Sequence, residues 1–535
     1  VDFNYMVTPP SMTALQEIIK FGHVPAVSYA CVAYQKKEKH QFVRTSIAVG
    51  KKNAQSTDSE IIVDDKTRFP ASSLSKIVFT YLVLQLVKDK QIDLDEPLHN
   101  ILQYERFLVD GKYPKKAKEL TARHVLSHTT GLPNFGANLS STLIFDPKLE
   151  LSEGYSYSGE AFLYLQTVIE AKIGKDLETL AQEYVFGPLG MGRSTFMPPS
   201  EDDDNIVAVH TELGKPTSIY IGEPHVNAAG SLLTTADDFS KFMVAWLENM
   251  NDPIIEQAFE PASTDDLITC GLGWHIYRHE NEVIAYQYGE NPNTRAFIAI
   301  NITTKKGAVF FTNSENGMSI ANQVFSSPDL SPIGNMQELY KHLHYTQSDE
   351  PGWQETMLGK IAEVGNKFEE ARYYFEKALG LSPEDETKLR RLEWFKAVHH
   401  PFPEKKFTLS LKAFMGNYKN SYNDDIEMSI RNDSLILKQF DQKIKLVRVA
   451  ETEFLPEQDQ SFKIRFDGDL MSISFIHGGR DKFLSKQPSP KSLLHYKDEV
   501  RQLRESQPGY MRSTEVSRVK EREYIDTAPK PSWRS

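Results

Sequence analysis

Apolar and polar residues alternate over residues 26–50, where "PAVSYACVAYQ" and "QFVRTSIAV" flank a charged turn. This period of two predicts two strands. A long stretch of helices and loops follows, from about 72 to 265, and strand patterning returns over 282–313 in "EVIAYQYG", "RAFIAINI" and "GAVFFTN". Strands at both ends of a helical middle predict one α/β (α+β) unit: an antiparallel sheet flanked by helices, with an all-helical insertion. From about 335 to 400 the period becomes helical. There "ETMLGKIAEVGNKFEEARYYFEKALGLSPED" places Leu358, Gly359, Ala371, Phe375, Ala378 and Pro383 at the offsets of a single tetratricopeptide-type hairpin. Residues 405–487 return to short alternating runs with turn signals at Asn432-Asp433 and Asp467-Gly468, which predict a small β-barrel or sandwich. The organisation expected is therefore a first domain over 1–334, a helical linker over 335–402, a β domain over 403–488 and a charged, flexible tail over 489–535.

Composition narrows the function classes. Charged residues make up 25% and the net charge is −12, which disfavours nucleic acid or an anionic membrane as the main partner. No apolar run reaches the length of a membrane span, and the longest, from Ile77 to Val87, is interrupted by Thr80 and Gln85. The two cysteines, Cys31 and Cys270, lie in apolar strand-like contexts and read as buried free thiols, with a single disulfide as the alternative. There is no CxxC and no HExxH, and the pair His399-His400 precedes a proline in a loop, so neither a metal nor a cofactor is expected.

The stretch "FPASSLSKIVFTYLVLQLV" over 69–87 carries the candidate chemistry. Ser73, Lys76 and Thr80 share one stripe of a helix whose other positions, Leu74, Ile77, Val78, Leu82, Leu84 and Leu86, mark it as core. A lysine in the first turn faces the positive end of the helix dipole, and burial also disfavours its charge. Both effects favour a neutral amine that can take a proton from a neighbouring serine hydroxyl. A lysine that snorkels to solvent, with Ser73 as a helix cap, fits the same pattern. The spacing alone is weak: "SRVK" at Ser517 to Lys520 repeats it in the polar tail.

"ASSLSK" is followed in order by "TARHVLSHTTGLPNF", "YSYSGEAFLYLQTVIE", "FGPLGMGRSTF", "NAAGSLLTTADDFSKFM" and "GLGW". This series resembles the serine β-lactamase and penicillin-binding-protein superfamily over about residues 10–330, in its class C β-lactamase, D-aminopeptidase and family VIII esterase branch. The resemblance implies Ser73 as nucleophile, Lys76 as its general base or proton shuttle and Tyr157 as a partner in proton traffic, with Tyr155 as the alternative in "YSYS". It implies an oxyanion hole from the backbone N–H groups of Ser73 and Glu290. Gly159, Gln287, Tyr288 and Gly289 fall at substrate-binding positions, and His128 at one of largely structural standing. A periplasmic or secreted location is also implied, and a chain that begins at Val1 is in keeping with a removed leader.

Two departures shape the expected substrate. Gly159 replaces the asparagine that in lactamases holds the substrate's amide, and neutral Gln287 replaces a cation that pairs with a carboxylate. With acidic Glu290 next in line, a small neutral ester, lactone or amide is expected, hydrolysed through an acyl-enzyme. The alternatives are β-lactamase, penicillin-binding or D-aminopeptidase activity, and a degenerate hydrolase that serves as a binding protein. The helical hairpin is the surface where a protein contact is expected. Asn313 should end a strand, and the sequons at Asn138, Asn301 and Asn432 read as accidental.

Overall fold

A computed structural model describes residues 9–506 apart from 37–40, 58–61, 137, 201, 204, 220–224, 263–267, 335, 400–406, 421–424, 440–441, 459, 461, 476–479 and 486–487. Of the tail expected to be flexible over 489–535, residues 490–506 form a helix, while 507–535, with "SRVK", lie outside the described residues, as does His400. The chain forms two compact units that divide between Ser348 and Asp349.

The first unit opens with α1 (Pro9–Phe21) and the strands β1 (Ala26–Gln35) and β2 (Gln41–Gly50). The insertion follows, with α2 (Ser75–Lys88), α3 (Gly159–Ile173) and α4 (Ala236–Glu248) as its longest helices. The chain then returns to strands: β3 (Ile268–Cys270), β4 (His275–His279), β5 (Glu282–Asn291), β6 (Thr294–Asn301) and β7 (Lys306–Thr312). These seven strands make one antiparallel sheet in the order β2-β1-β7-β6-β5-β4-β3. The expected mixed fold, with its antiparallel sheet and helical insertion, is what the chain adopts.

Each face of the sheet is covered, which explains why its strands read as nearly continuous apolar runs. In β6, Ala296, Ile298 and Ile300 join the core that contains α2, α3 and α4, while Phe297 and Ala299 join a second core with α1. Met336, Leu339 and Tyr340 also fill that second core. Residues expected to begin a helical linker at 335 therefore complete the first unit, because the far face of the sheet needs their apolar cover. Cys31 and Cys270 are buried free thiols. They lie on β1 and β3, five strand spacings apart, or about 24 Å, well beyond the reach of a disulfide.

The second unit begins with α5 (Trp353–Val364), α6 (Phe368–Leu381) and α7 (Glu386–His399). A Cβ at Gly359 would sit 2.5 Å from the Phe375 ring, so the glycine sets the close approach of α5 and α6. Eight strands, from Gly416–Asn420 to Arg480–Ser485, then close into an antiparallel barrel filled by side chains such as Phe414, Phe454, Ile464 and Phe466. Asn432 and Asp433, both at positive φ, form the two-residue hairpin turn expected of them. At the other signal the turn is Gly468-Asp469, one residue later than expected, because Asp467 still pairs with Leu470. A helix, Pro490–Ser506, follows the barrel.

Candidate active site

Ser73 sits in a 3-10 turn, Ser72–Leu74, that runs directly into α2. Ser72 holds φ +49° although it is not glycine, and its hydroxyl is buried with no hydrogen-bond partner among the described residues. A left-handed residue costs about 1–3 kcal/mol. This local strain falls on the residue immediately before the candidate nucleophile. Lys76, in the first turn of α2, is only 2% exposed, so it does not snorkel. Its Nζ donates to Ser73 Oγ at 3.1 Å and to the Ala229 carbonyl at 2.8 Å. It also lies 4.7 Å from the centroid of the Tyr157 ring. Thr80, one turn further along the same stripe, is buried and donates to the Lys76 carbonyl at 2.8 Å.

Tyr157 stands just before α3. Ser158 caps that helix by accepting from Ala161 N–H (3.0 Å), and its own hydroxyl donates to the Pro133 carbonyl (2.8 Å). His128 forms a platform under Tyr157, with ring centroids 4.4 Å apart and planes at 25°. The His128 Nδ1 accepts the Ser158 N–H at 3.0 Å, so the neutral ring carries its hydrogen on Nε2. Burial, and then the Lys76 ammonium and His275, hold this imidazole well below the usual histidine range. Tyr155 is differently engaged: its hydroxyl meets His275 Nε2 at 2.7 Å. Burial pushes His275 down to about 4, opposed by Gln287 and reinforced by Lys76. Tyr155 is thus held by His275, and Tyr157 is the tyrosine whose ring lies against the Lys76 amine.

The third wall is β5. A Cβ on Gly289 would come 2.6 Å from the Ala71 carbonyl and 3.1 Å from Ser72 Cβ, so only glycine lets the strand pass this close to the nucleophile's turn. Asn291, at the end of β5, donates to the Gly230 carbonyl at 3.3 Å and ties the strand to the Ala229 loop. The serine, the lysine, the tyrosine and the glycine strand edge thus meet around one point.

The beta-lactamase family model matches residues 30–323, more than half of the 535-residue chain. The chain belongs to the beta-lactamase family. Over 328 residues it is 24% identical to penicillin-binding protein 4* of Bacillus subtilis (strain 168), covering 52% of this chain and 69% of that protein. Among solved structures it is similar to one described as SurE, with a TM-score of 0.50, 14% identity and coverage of 89% of this chain and 98% of that one. It is also similar to the octameric penicillin-binding protein homologue from Pyrococcus abyssi, with a TM-score of 0.48, 15% identity and coverage of 90% and 100%.

Within this beta-lactamase fold the remaining expected residues are distributed unevenly. Gly159 opens α3, and its N–H donates to Asn134 Oδ1 at 2.8 Å. A Cβ there would lie 3.0 Å from the Asn134 carbonyl and 3.6 Å from Ala229 Cβ. A side-chain amide thus stands beside Gly159, supplied by a different loop, where the resemblance leads one to expect an asparagine at 159 itself. Gln287 is fully buried and donates to the Gly273 carbonyl at 3.3 Å, so it supports the strand from within. Strand alternation sends Tyr288 and Glu290 to the opposite face from Gln287 and Gly289. Tyr288 stacks on His275, and the Glu290 carboxylate accepts the Tyr345 hydroxyl at 2.6 Å. The acidic side chain is therefore engaged away from the Gly289 face, and its expected influence on substrate charge has no support in this geometry.

Asn134, His275 and the buried Arg106–Glu160 ion pair (2.8 Å) are site features that the sequence reading did not single out. Asn134 and His275 adjoin quoted motifs, in "GLPNF" and after "GLGW", but nothing in their local pattern marks them. Among the described residues no group of three His, Cys, Asp or Glu side chains is placed to hold a metal, and no helix is long and apolar enough to cross a membrane.

Proposed function

We propose that this protein is a serine hydrolase that acts through an acyl-enzyme on a small neutral ester, lactone or amide. The observation that carries the reading is the 3.1 Å contact of the buried Lys76 Nζ with Ser73 Oγ. In the neutral amine form, Lys76 accepts the Ser73 proton as Oγ bonds to the substrate carbonyl carbon. The proton passes by way of Lys76 and Tyr157 to the leaving group as the ester C–O or amide C–N bond breaks. Water then attacks the acyl-enzyme, gives its proton to the same pair, and releases the acid and the Ser73 hydroxyl. The backbone N–H groups of Ser73 and Glu290 serve as oxyanion donors in this scheme, a role supported by the tight passage of Gly289 along the nucleophile's turn.

A neutral substrate is favoured because Gln287, at the position where the resemblance leads one to expect a cation, is uncharged and offers a substrate carboxylate no ion pair. Kinship with penicillin-binding protein 4* favours a second reading, acylation by β-lactams. The test is hydrolysis of p-nitrophenyl butyrate by the wild type and by Ser73→Ala, with nitrocefin run in parallel. Ester turnover that falls at least roughly 1000-fold in the variant supports the esterase reading. Turnover of nitrocefin alone supports the second, and equal residual rates in both proteins remove the enzyme reading.

A further inference from the structure

We propose that the loop residues 134–136 and 138–144 form a platform for an apolar arm of the substrate. The enzyme would then favour esters with an aliphatic or aromatic acyl group over small polar ones. This inference rests on the hydrolase reading above.

The loop adjoins the candidate chemistry directly. Asn134 accepts the Gly159 N–H, a Cβ on Gly159 would meet Ala229 Cβ at 3.6 Å, and the Ala229 carbonyl holds Lys76. Beyond Asn134 the loop displays Phe135, Leu139 and Ile144 at 62%, 59% and 58% exposure. Single exposed apolar residues are ordinary, but several on one loop beside a site mark a binding surface. The loop does not lack anchors that would explain the display: Leu132, Leu143 and Phe145 are buried in the core.

The loop is also held firmly. Arg106 donates to the carbonyls of Asn138 and Ser141, both at 2.9 Å, and to Glu160. Glu160 in turn accepts Gly136 N–H at 2.7 Å. The exposed side chains thus project from a fixed backbone, which lowers the ordering cost of binding. Residues 131–145 contain no charged residue, in a chain where 25% of residues are charged. The uncharged, apolar display of Phe135, Leu139 and Ile144 beside the loop that holds the lysine fits a neutral, apolar substrate group.

The experiment compares kcat/KM for p-nitrophenyl acetate, butyrate and octanoate in the wild type, Ser73→Ala and the double variant Phe135→Ser/Ile144→Ser. All esters are kept below their aggregation concentrations. The wild type is expected to favour octanoate over acetate by about tenfold, and the double variant to lower that ratio by about tenfold. Leu139→Ser provides a second, milder variant with a smaller fall, and circular dichroism checks that both variants are folded. A ratio unchanged by either variant, with acetate turnover still dependent on Ser73, overturns this inference alone. If no ester is turned over in a Ser73-dependent way, the hydrolase reading and this inference fall together.

Discussion

Lys76 in the first unit and Lys463 in the barrel are both withdrawn from solvent, yet they are held in different ways. Lys463 lies between two carboxylates, Glu453 at 2.8 Å and Glu393 at 3.1 Å. Burial works against its charge, but these carboxylates outweigh burial and raise its pKa. Lys76 instead bonds to a hydroxyl and a carbonyl and lies over an aromatic ring. A lysine clamped by carboxylates is fixed as a cation and fastens two elements together. One bonded to a hydroxyl is set where a proton can pass between the two groups. The partners differ in kind, and Lys76 is also the more deeply buried, 2% exposed against 15% for the Lys463 side chain.

The sharpest way to break this comparison is to remove each amine. Lys76→Met is expected to lower kcat for p-nitrophenyl butyrate by roughly 1000-fold, whereas Lys463→Met leaves it within about twofold and lowers only thermal stability. Comparable losses of kcat in the two variants would defeat the distinction. Gly289→Ala is next in size. With the Ala71 carbonyl 2.6 Å from the new Cβ, β5 must shift from the nucleophile's turn, and kcat should fall by about 100-fold with the fold retained. An active Gly289→Ala enzyme would show that the strand can stand further off.

The smallest effect is on stability. His128 and His275 titrate below their ordinary range in the folded protein, the latter at about 4. Since the unfolded chain takes up protons first, stability is full above about pH 6.5 and is lost as pH falls towards 4, by up to about 1.4 kcal/mol per pH unit for each histidine. Denaturant midpoints measured between pH 7 and 5 should show this slope, and His275→Gln should flatten it. An unaltered slope in that variant would locate the acid sensitivity elsewhere.

Ser73 and Lys76 stand out in the sequence because a polar pair at short-range spacing interrupts an apolar run, whereas Tyr157 was expected only from the resemblance of its motif to the family's. Asn134, by contrast, reaches the site from a loop 25 positions away from Gly159 in the chain, and His275 comes from a strand 120 positions away from Tyr155. No local period encodes such encounters. Gln287 and Glu290 were named from their order in a motif, but which way they face depends on the register of β5. A one-residue change of register reverses every side chain.

The pattern of apolar and polar positions by itself determined the sheet strands β1, β2, β5, β6 and β7, the apolar helix behind Ser73 and the alternation of the barrel, because each records burial of its own faces. Only the tertiary structure decided which residues converge. The 3-10 turn at Ser72, the glycine approach of β5, the His128 platform and the pinned apolar loop all depend on packing between segments distant in the chain. Long-range contacts select among conformations that local sequence leaves open, and the site is assembled from such contacts.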